Sequence, residues 1–434
     1  MTRDLSVVVV GGGWAGCSAA IAASKAGAGV TLLERTDMLL GAGLSGGIMR
    51  NNGRFTAAEE AIAMGAGDLF AVTDRCSRHT NIDFPGHRHA SLYDITRIEP
   101  AVRSAVAGVG VSVLTQRRIT SVKVDSGYVV SVATSEGETW TAGAFVDSTG
   151  SSGPMGSCLR NGNGCAMCML RCPSFGPRQS VCHLAGAREA GLQTRRPAPG
   201  VFSGSCDLIK GSLSEDLVSR LEDEGALVVP LPGEMVNTSK LSSKACQQYA
   251  LPEFAENLIL LDNGMAKMMT PYMPLDILRR IPGFDSARYA EPLSGGKSNS
   301  IRYVSIAARD GTLKVNGLSN LFCCGEKSGP YVGHTEAIVT GALAGRNAAA
   351  AAAGAGLLEI DRDTAIGDFI AIAGDECRGD EPGQTRGFAR TLTFAGAAFF
   401  ERMKQRGLYT IDKQSILRKI RQYGLEKIFE RPVT

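Results

Sequence analysis

Val7-Val8-Val9-Val10-Gly11-Gly12-Gly13-Trp14-Ala15-Gly16 is followed by a small-residue run through Ala28 and then by Val30-Thr31-Leu32-Leu33-Glu34. Four β-branched residues in succession predict a buried strand, the small-residue run a helix, and the second apolar run another strand. Gly11 permits the tight turn, Gly13 lets backbone N–H groups approach a pyrophosphate, and Gly16 lets the helix lie close to the sheet. The helix N-terminus then faces the phosphates. Glu34 ends the second strand, where its carboxylate can accept from both hydroxyls of a ribose, and Arg35 follows it at the same edge. The stretch predicts an α/β dinucleotide-binding unit.

Two later segments turn that unit toward FAD. From Val111 the chain alternates apolar and polar residues, turns at Asp125-Ser126-Gly127, returns, and ends at Ala144-Phe145-Val146-Asp147-Ser148-Thr149-Gly150. This reads as a small β-meander feeding a buried strand. Its end resembles the Asp-x-Thr-Gly segment of two-dinucleotide-binding-domain flavoproteins, which implies that Thr149 and Gly150 pass the adenosine half of FAD. Farther on, Gly317-Leu318-Ser319-Asn320-Leu321-Phe322-Cys323-Cys324 reads as a strand ending in Gly325-Glu326, with a helix following from about Thr335. One full fingerprint is present, at the N-terminus.

With 434 residues, 44% of them hydrophobic, and a net charge of +3, the chain has room for two or three domains with a large core. Near-balanced charge neither demands nor excludes a nucleic-acid partner. Val7 to Val10 is too short for the apolar stretch of a signal peptide, and no run reaches the ~20 apolar residues that span a bilayer. A cytoplasmic location, where thiols stay reduced, is therefore expected.

Against that background the twelve cysteines stand out, five of them within Cys158 to Cys182. Cys158, Cys165, Cys168 and Cys172 are candidate metal ligands. Their spacing partly matches ferredoxin runs and would also serve a four-thiolate zinc. A redox dithiol or a nucleophilic cysteine needs only one or two of them, and packing alone needs no chemistry.

Pro274-Leu275-Asp276-Ile277-Leu278-Arg279-Arg280-Ile281-Pro282-Gly283 and the stretch from Leu318 to Ala349 resemble the glucose-inhibited division protein A family and its relative, the folate-dependent tRNA uracil methyltransferase TrmFO. Arg279 or Arg280, Ile281, Pro282, Gly283 and Ala287 carry the first match. Gly325, Gly333, Glu336, Ala337, Gly341, Ala344, Gly345 and Asn347 carry the second, with Glu326 standing where the family has Gln. Arg171-Cys172-Pro173-Ser174 is similar to the family's Arg-Tyr-Cys-Pro-Ser segment, so the resemblance makes Cys172 the first candidate for a catalytic cysteine beside the flavin. It implies reduction of FAD by NAD(P)H or a protein donor, then delivery of a hydride or a one-carbon unit. RNA modification is the rival activity.

The helix after Gly333 would aim its positive end, with Thr335, at the flavin or pyrophosphate. His334 just before it is a candidate catalytic residue, with a capping histidine of no further role as the alternative. Ser45, Gly46 and Gly47 are candidate flavin contacts and Arg50 a candidate anion binder. His79, His87 and His89 fall in what reads as a polar loop, better suited to the surface or a substrate loop than to a metal.

The expected architecture is an α/β, two-dinucleotide-binding-domain FAD fold of the glutathione reductase type. Residues 1–155 and 300–355 would form a discontinuous FAD domain, and 156–300 an inserted α/β substrate domain holding the cysteines. Residues 356–434 would be helical, ending in an amphipathic helix that packs on the core or on a second subunit. The expected partner is a small-molecule substrate or a redox protein.

Overall fold

The computed structural model describes residues 5–150, 174–191, 201–203, 205–239, 241, 246–270, 273–290, 300–302, 305–377 and 391–433. At its centre lies a five-stranded sheet in the order Leu321–Cys323, Ala144–Asp147, Ser6–Val10, Gly29–Leu33, Ser112–Leu114, with every pairing parallel. The register sets Val10 beside both Leu33 and Asp147, and Asp147 beside Cys323. Strand ends from three distant parts of the chain therefore meet at one edge, which is where parallel α/β sheets bind ligands.

Two helices cover one face. Trp14–Lys25 is buried from Trp14 through Ala23, pressed between the sheet and the long helix His334–Ala353. Both are built of small residues, and their backbones nearly touch. A Cβ on Gly341 would overlap the Ala15 carbonyl oxygen, and one on Gly345 the Ala19 carbonyl oxygen. The Ser18 hydroxyl adds a hydrogen bond to the Ile338 carbonyl at 2.7 Å. This crossing sets the heads of the two helices side by side, with the Trp14 and His334 ring centroids 5.8 Å apart. The long helix begins at His334, one residue earlier than expected, so that histidine belongs to its first turn.

The predicted meander is present as Ile119–Asp125, Tyr128–Thr134 and Thr139–Thr141, packed on the other face of the sheet. Beyond it, Cys206–Leu208, Ala266–Met268, Asn257–Asp262 and Ala226–Pro230 form an antiparallel sheet backed by the helix Glu215–Glu224. Ser214 caps that helix, acidic residues fill its first turn, and Gly225 ends it at φ +77°. Among the described residues, the strand–glycine–helix unit at the N-terminus has no second counterpart.

The supposed polar loop around His79 to His89 is instead a hairpin, Ser77–Phe84 paired with His87–Tyr93 and joined to Ile48–Met49. Half of its outward strand is exposed and its pairing is interrupted by register shifts, so the apolar alternation that signals a strand is weak. The buried side, Phe84, Ala90 and Leu92, shares a core with Tyr249, Phe254, Ile259 and Leu261.

The C-terminal region is helical: Ala365–Cys377, Ala397–Gln405 and Lys413–Gln422. The first is capped from a distance, because the buried Glu60 carboxylate accepts from Ala365 N at 2.9 Å and Ile366 N at 3.0 Å. No helix among the described residues is long and apolar enough to cross a membrane.

Candidate functional site

The glycine turn is shaped by contact as well as by conformation. Gly11 has φ +104°, and a Cβ there would lie 2.6 Å from the Ser148 carbonyl oxygen. A Cβ on Gly16 would overlap the Gly11 carbonyl oxygen and stand 2.5 Å from Ser148 Oγ. These glycines hold the turn against the strand end that carries Thr149. Gly13 differs: its backbone is ordinary extended, and among the described residues a Cβ there meets nothing within 4 Å. The space above the head of the Trp14–Lys25 helix is therefore open, and it is lined by the first-turn N–H groups that an α-helix leaves without internal partners.

Glu34 is buried beside this space. Its Oε2 accepts from Gly12 N at 2.7 Å and its Oε1 from Thr36 N at 2.8 Å. Oε1 also lies 3.0 Å from Thr36 Oγ1, so Oε2 is the oxygen that keeps a second lone pair for a ribose hydroxyl. Arg35 follows, and its guanidinium donates to the Gly176 carbonyl.

At the next strand end, Asp147 is wholly buried and orders the turn. Its Oδ1 accepts from Thr149 N at 2.9 Å and Thr149 Oγ1 at 2.7 Å, and its Oδ2 from Cys182 N at 2.8 Å. Gly150 then leaves with φ +75°. At the third strand end, Gly325 has φ +61°, takes a bond from its own N–H to Thr340 Oγ1 at 3.0 Å, and rests against Ala15. Glu326 follows, half-buried. Lys327 turns inward, wholly buried, and its Nζ lies 3.0 Å from Glu189 Oε1. Asp147 and Glu189 both stabilise its charge, which raises its pKa despite burial. Glu189 also accepts from Ser180 and from Ser305, so a buried polar network underlies the two strand ends.

The head of the long helix carries the other cluster. Gly333 has φ +142°, and a Cβ there would collide with the ion pair of Arg54 and Glu336. That pair is buried, with Arg54 Nε 3.0 Å from Glu336 Oε1. Glu336 Oε1 also accepts from Thr393 Oγ1 at 2.8 Å and Phe394 N at 2.9 Å. Thr335 is buried, with its hydroxyl on the Met49 sulfur at 3.7 Å. The His334 ring lies against Gly46, where a Cβ would overlap Cε1, and Gly47 has φ +91° against Asn263. Ser45 belongs to the short turn Gly41–Ser45 that leads into them. Gly46, Gly47 and His334, distant in sequence, are thus adjacent in space.

A family model described as glucose inhibited division protein A matches residues 6–256 and 239–356. The chain belongs to that family. Two solved structures of Aquifex aeolicus GidA, in its form II and form I crystals, align with TM-scores of 0.61 and 0.58 at 16% and 15% identity. The alignments cover 96% of this chain in both cases, and 76% and 78% of the Aquifex chains. The protein is a GidA-like FAD flavoprotein and an FAD-dependent enzyme, with an α/β FAD-binding fold built on a parallel sheet. The residues fit the cofactor: an open cradle at Gly13, a buried carboxylate at Glu34, and a second helix head beside the first.

Several expectations are corrected on this GidA-like frame. Arg50 is no anion binder, because its guanidinium is held by Asp74 at 2.7 and 3.0 Å and by Glu59. His87 is not at the surface but buried, and burial with the nearby Arg54 charge pulls its pKa down to about 3. His79 bonds the buried Asp262 at 3.0 Å, and no cluster able to hold a metal exists among the described residues. Cys158, Cys165, Cys168 and Cys172 lie outside the described residues. Cys182 is described, buried beside Cys323, and burial lifts its thiol far from the thiolate range. Sequence reasoning passed over Tyr93 and the Arg54–Glu336 pair; an acidic residue at the head of an otherwise alanine- and glycine-rich helix was the available signal for the latter.

Proposed function

We propose that this protein is an FAD-dependent oxidoreductase, reduced by a nicotinamide or a protein donor, that passes a hydride or a one-carbon unit to a small-molecule substrate. The observation that carries the reading is the convergence of two helix heads, at Trp14 and His334, beside Glu34 and the three strand ends. Gly11, Gly13 and Gly16 would shape the pyrophosphate cradle, Glu34 would hold the adenosine ribose, and Thr149, Gly150, Gly325 and Glu326 would line the path between. Ser45, Gly46, Gly47 and His334 would flank the isoalloxazine, with Cys172 as the thiol brought to it. FAD supplies the two-electron redox chemistry, and the chain orients it and sets its electrostatics.

Anaerobic titration with NADH and with NADPH, followed at 450 nm, tests this. Bleaching by either supports it, whereas a folded protein that neither retains nor takes up FAD ends it. A second reading, an RNA-modifying flavoprotein, draws support from GidA family membership. Binding of tRNA that weakens steeply with salt would favour it.

A further inference from the structure

Tyr93 ends the inner strand of the hairpin, wholly buried, with its own N–H on the Gly47 carbonyl at 3.0 Å. Its phenol oxygen lies 3.1 Å from the Gly43 carbonyl oxygen and 3.1 Å from His334 Nδ1. Trp14 packs edge-on to the ring at 5.8 Å. One side chain therefore touches the loop of Gly43 to Gly47, the helix head at His334 and the residue that opens the dinucleotide helix.

A phenol has one hydrogen, and here it faces two neighbours. The Gly43 carbonyl can only accept and has a second lone pair beside the one Gly46 N occupies at 3.2 Å, so it takes that hydrogen, and the phenol oxygen is left to accept from the imidazole. Burial raises the phenol pKa, which keeps the hydrogen in place. We propose that Tyr93 is a positioning residue that fixes His334 as its Nδ1–H tautomer, so that this imidazole takes up a proton only at Nε2. The proposal deepens the flavin reading above and rests on it for the meaning of His334, though not for the tautomer itself.

His87 supplies an internal contrast. Its Nδ1 lies 2.9 Å from the Asn51 amide nitrogen, a donor, and its Nε2 lies 3.1 Å from the Gln248 carbonyl, an acceptor. It is fixed as the opposite, Nε2–H tautomer. A buried and a half-buried histidine in one protein should thus carry their protons on different nitrogens.

The test is long-range ¹H–¹⁵N correlation on protein carrying ¹⁵N-labelled histidine. There are five histidines in the chain, and His334→Gln and His87→Gln assign the two signals by their loss. The expected result is Nδ1–H for His334 and Nε2–H for His87 in the parent protein. In Tyr93→Phe, which keeps the ring and removes only the hydroxyl, His334 should shift toward Nε2–H while His87 stays unchanged. An Nε2–H signal for His334 in the parent protein, or an unaltered His334 pattern in Tyr93→Phe, overturns the proposal. Changes at both histidines would mark general loss of packing and overturn it too. FAD content is read separately at 450 nm, so a protein without FAD ends the flavin reading and leaves the tautomer result standing.

Discussion

Gly13→Ala should leave the apoprotein folded and weaken FAD binding about a hundredfold. Gly13 has φ −70° and ψ −179°, a conformation alanine adopts without strain, and its Cβ would meet no atom of the described residues within 4 Å. Alanine there gains ~0.4–1 kcal/mol by restricting the unfolded chain. It loses up to about 1 kcal/mol as the poorer residue at a helix N-cap. The net change in apoprotein stability should therefore stay within about 1 kcal/mol. The methyl group would instead stand where the pyrophosphate must approach, stretching about two charge-assisted hydrogen bonds worth roughly 1.5 kcal/mol or more apiece. About 3 kcal/mol corresponds to roughly a hundredfold in affinity. Gly16→Ala is the contrast, since its Cβ would overlap the Gly11 carbonyl oxygen and the apoprotein itself should be destabilised. Thermal melts of the apoproteins and FAD titrations by flavin fluorescence separate the two. Parental FAD affinity in Gly13→Ala, or an apoprotein weakened by more than about 2 kcal/mol, would show that the open space is not the pyrophosphate's.

Burial pushes the Glu60 carboxyl up to about 7 from an ordinary value near 4.5, so its contribution to stability is full below pH 4.5 and is lost as pH rises through about 7. Glu60→Gln should keep on the order of 3 kcal/mol that the parent loses between pH 4.5 and 8; denaturant melts across that range check it, and a difference that does not vary with pH refutes it. His87 works the other way, with stability present above pH ~6.5 and lost as pH falls toward about 3, but it is common to both proteins and cancels in the comparison. If Cys158, Cys165, Cys168 and Cys172 hold a metal, anaerobically prepared protein should contain iron with acid-labile sulfide, or zinc, and substituting any one of them should release it. Absence of both metals leaves a dithiol or packing role.

The strand, turn, helix and strand from Val7 to Glu34 were legible because each is signalled by neighbours in sequence: β-branched residues, glycines and a terminal carboxylate. Asp147 to Gly150 could be read for the same reason. What escaped was pairing across distance. Arg54 and Glu336 are 282 residues apart, and although an acidic residue at the head of an alanine- and glycine-rich helix hints at a buried pair, nothing local names Arg54 as the partner. Arg50 looked like an available cation because its partners, Glu59 and Asp74, lie on helices whose faces only the fold reveals. The hairpin from Ser77 to Tyr93 was missed because half of its outer strand is exposed and its register slips, so alternation of polarity was faint.

The central sheet also has a consequence for how the chain is made. Ser6–Val10, Gly29–Leu33, Ser112–Leu114 and Ala144–Asp147 can all pair once the first 150 or so residues have emerged. The outer edge of Ala144–Asp147 is covered only when Leu321–Cys323 arrives, about 170 residues later. At ~5–20 residues per second a nascent chain waits roughly 10 to 35 s with that apolar strand edge unpaired. Such an edge invites pairing with other chains, and a contact of such long range closes slowly. The same three-part assembly that brings the strand ends together makes the late-arriving edge strand the step most exposed to aggregation and most open to help from a chaperone.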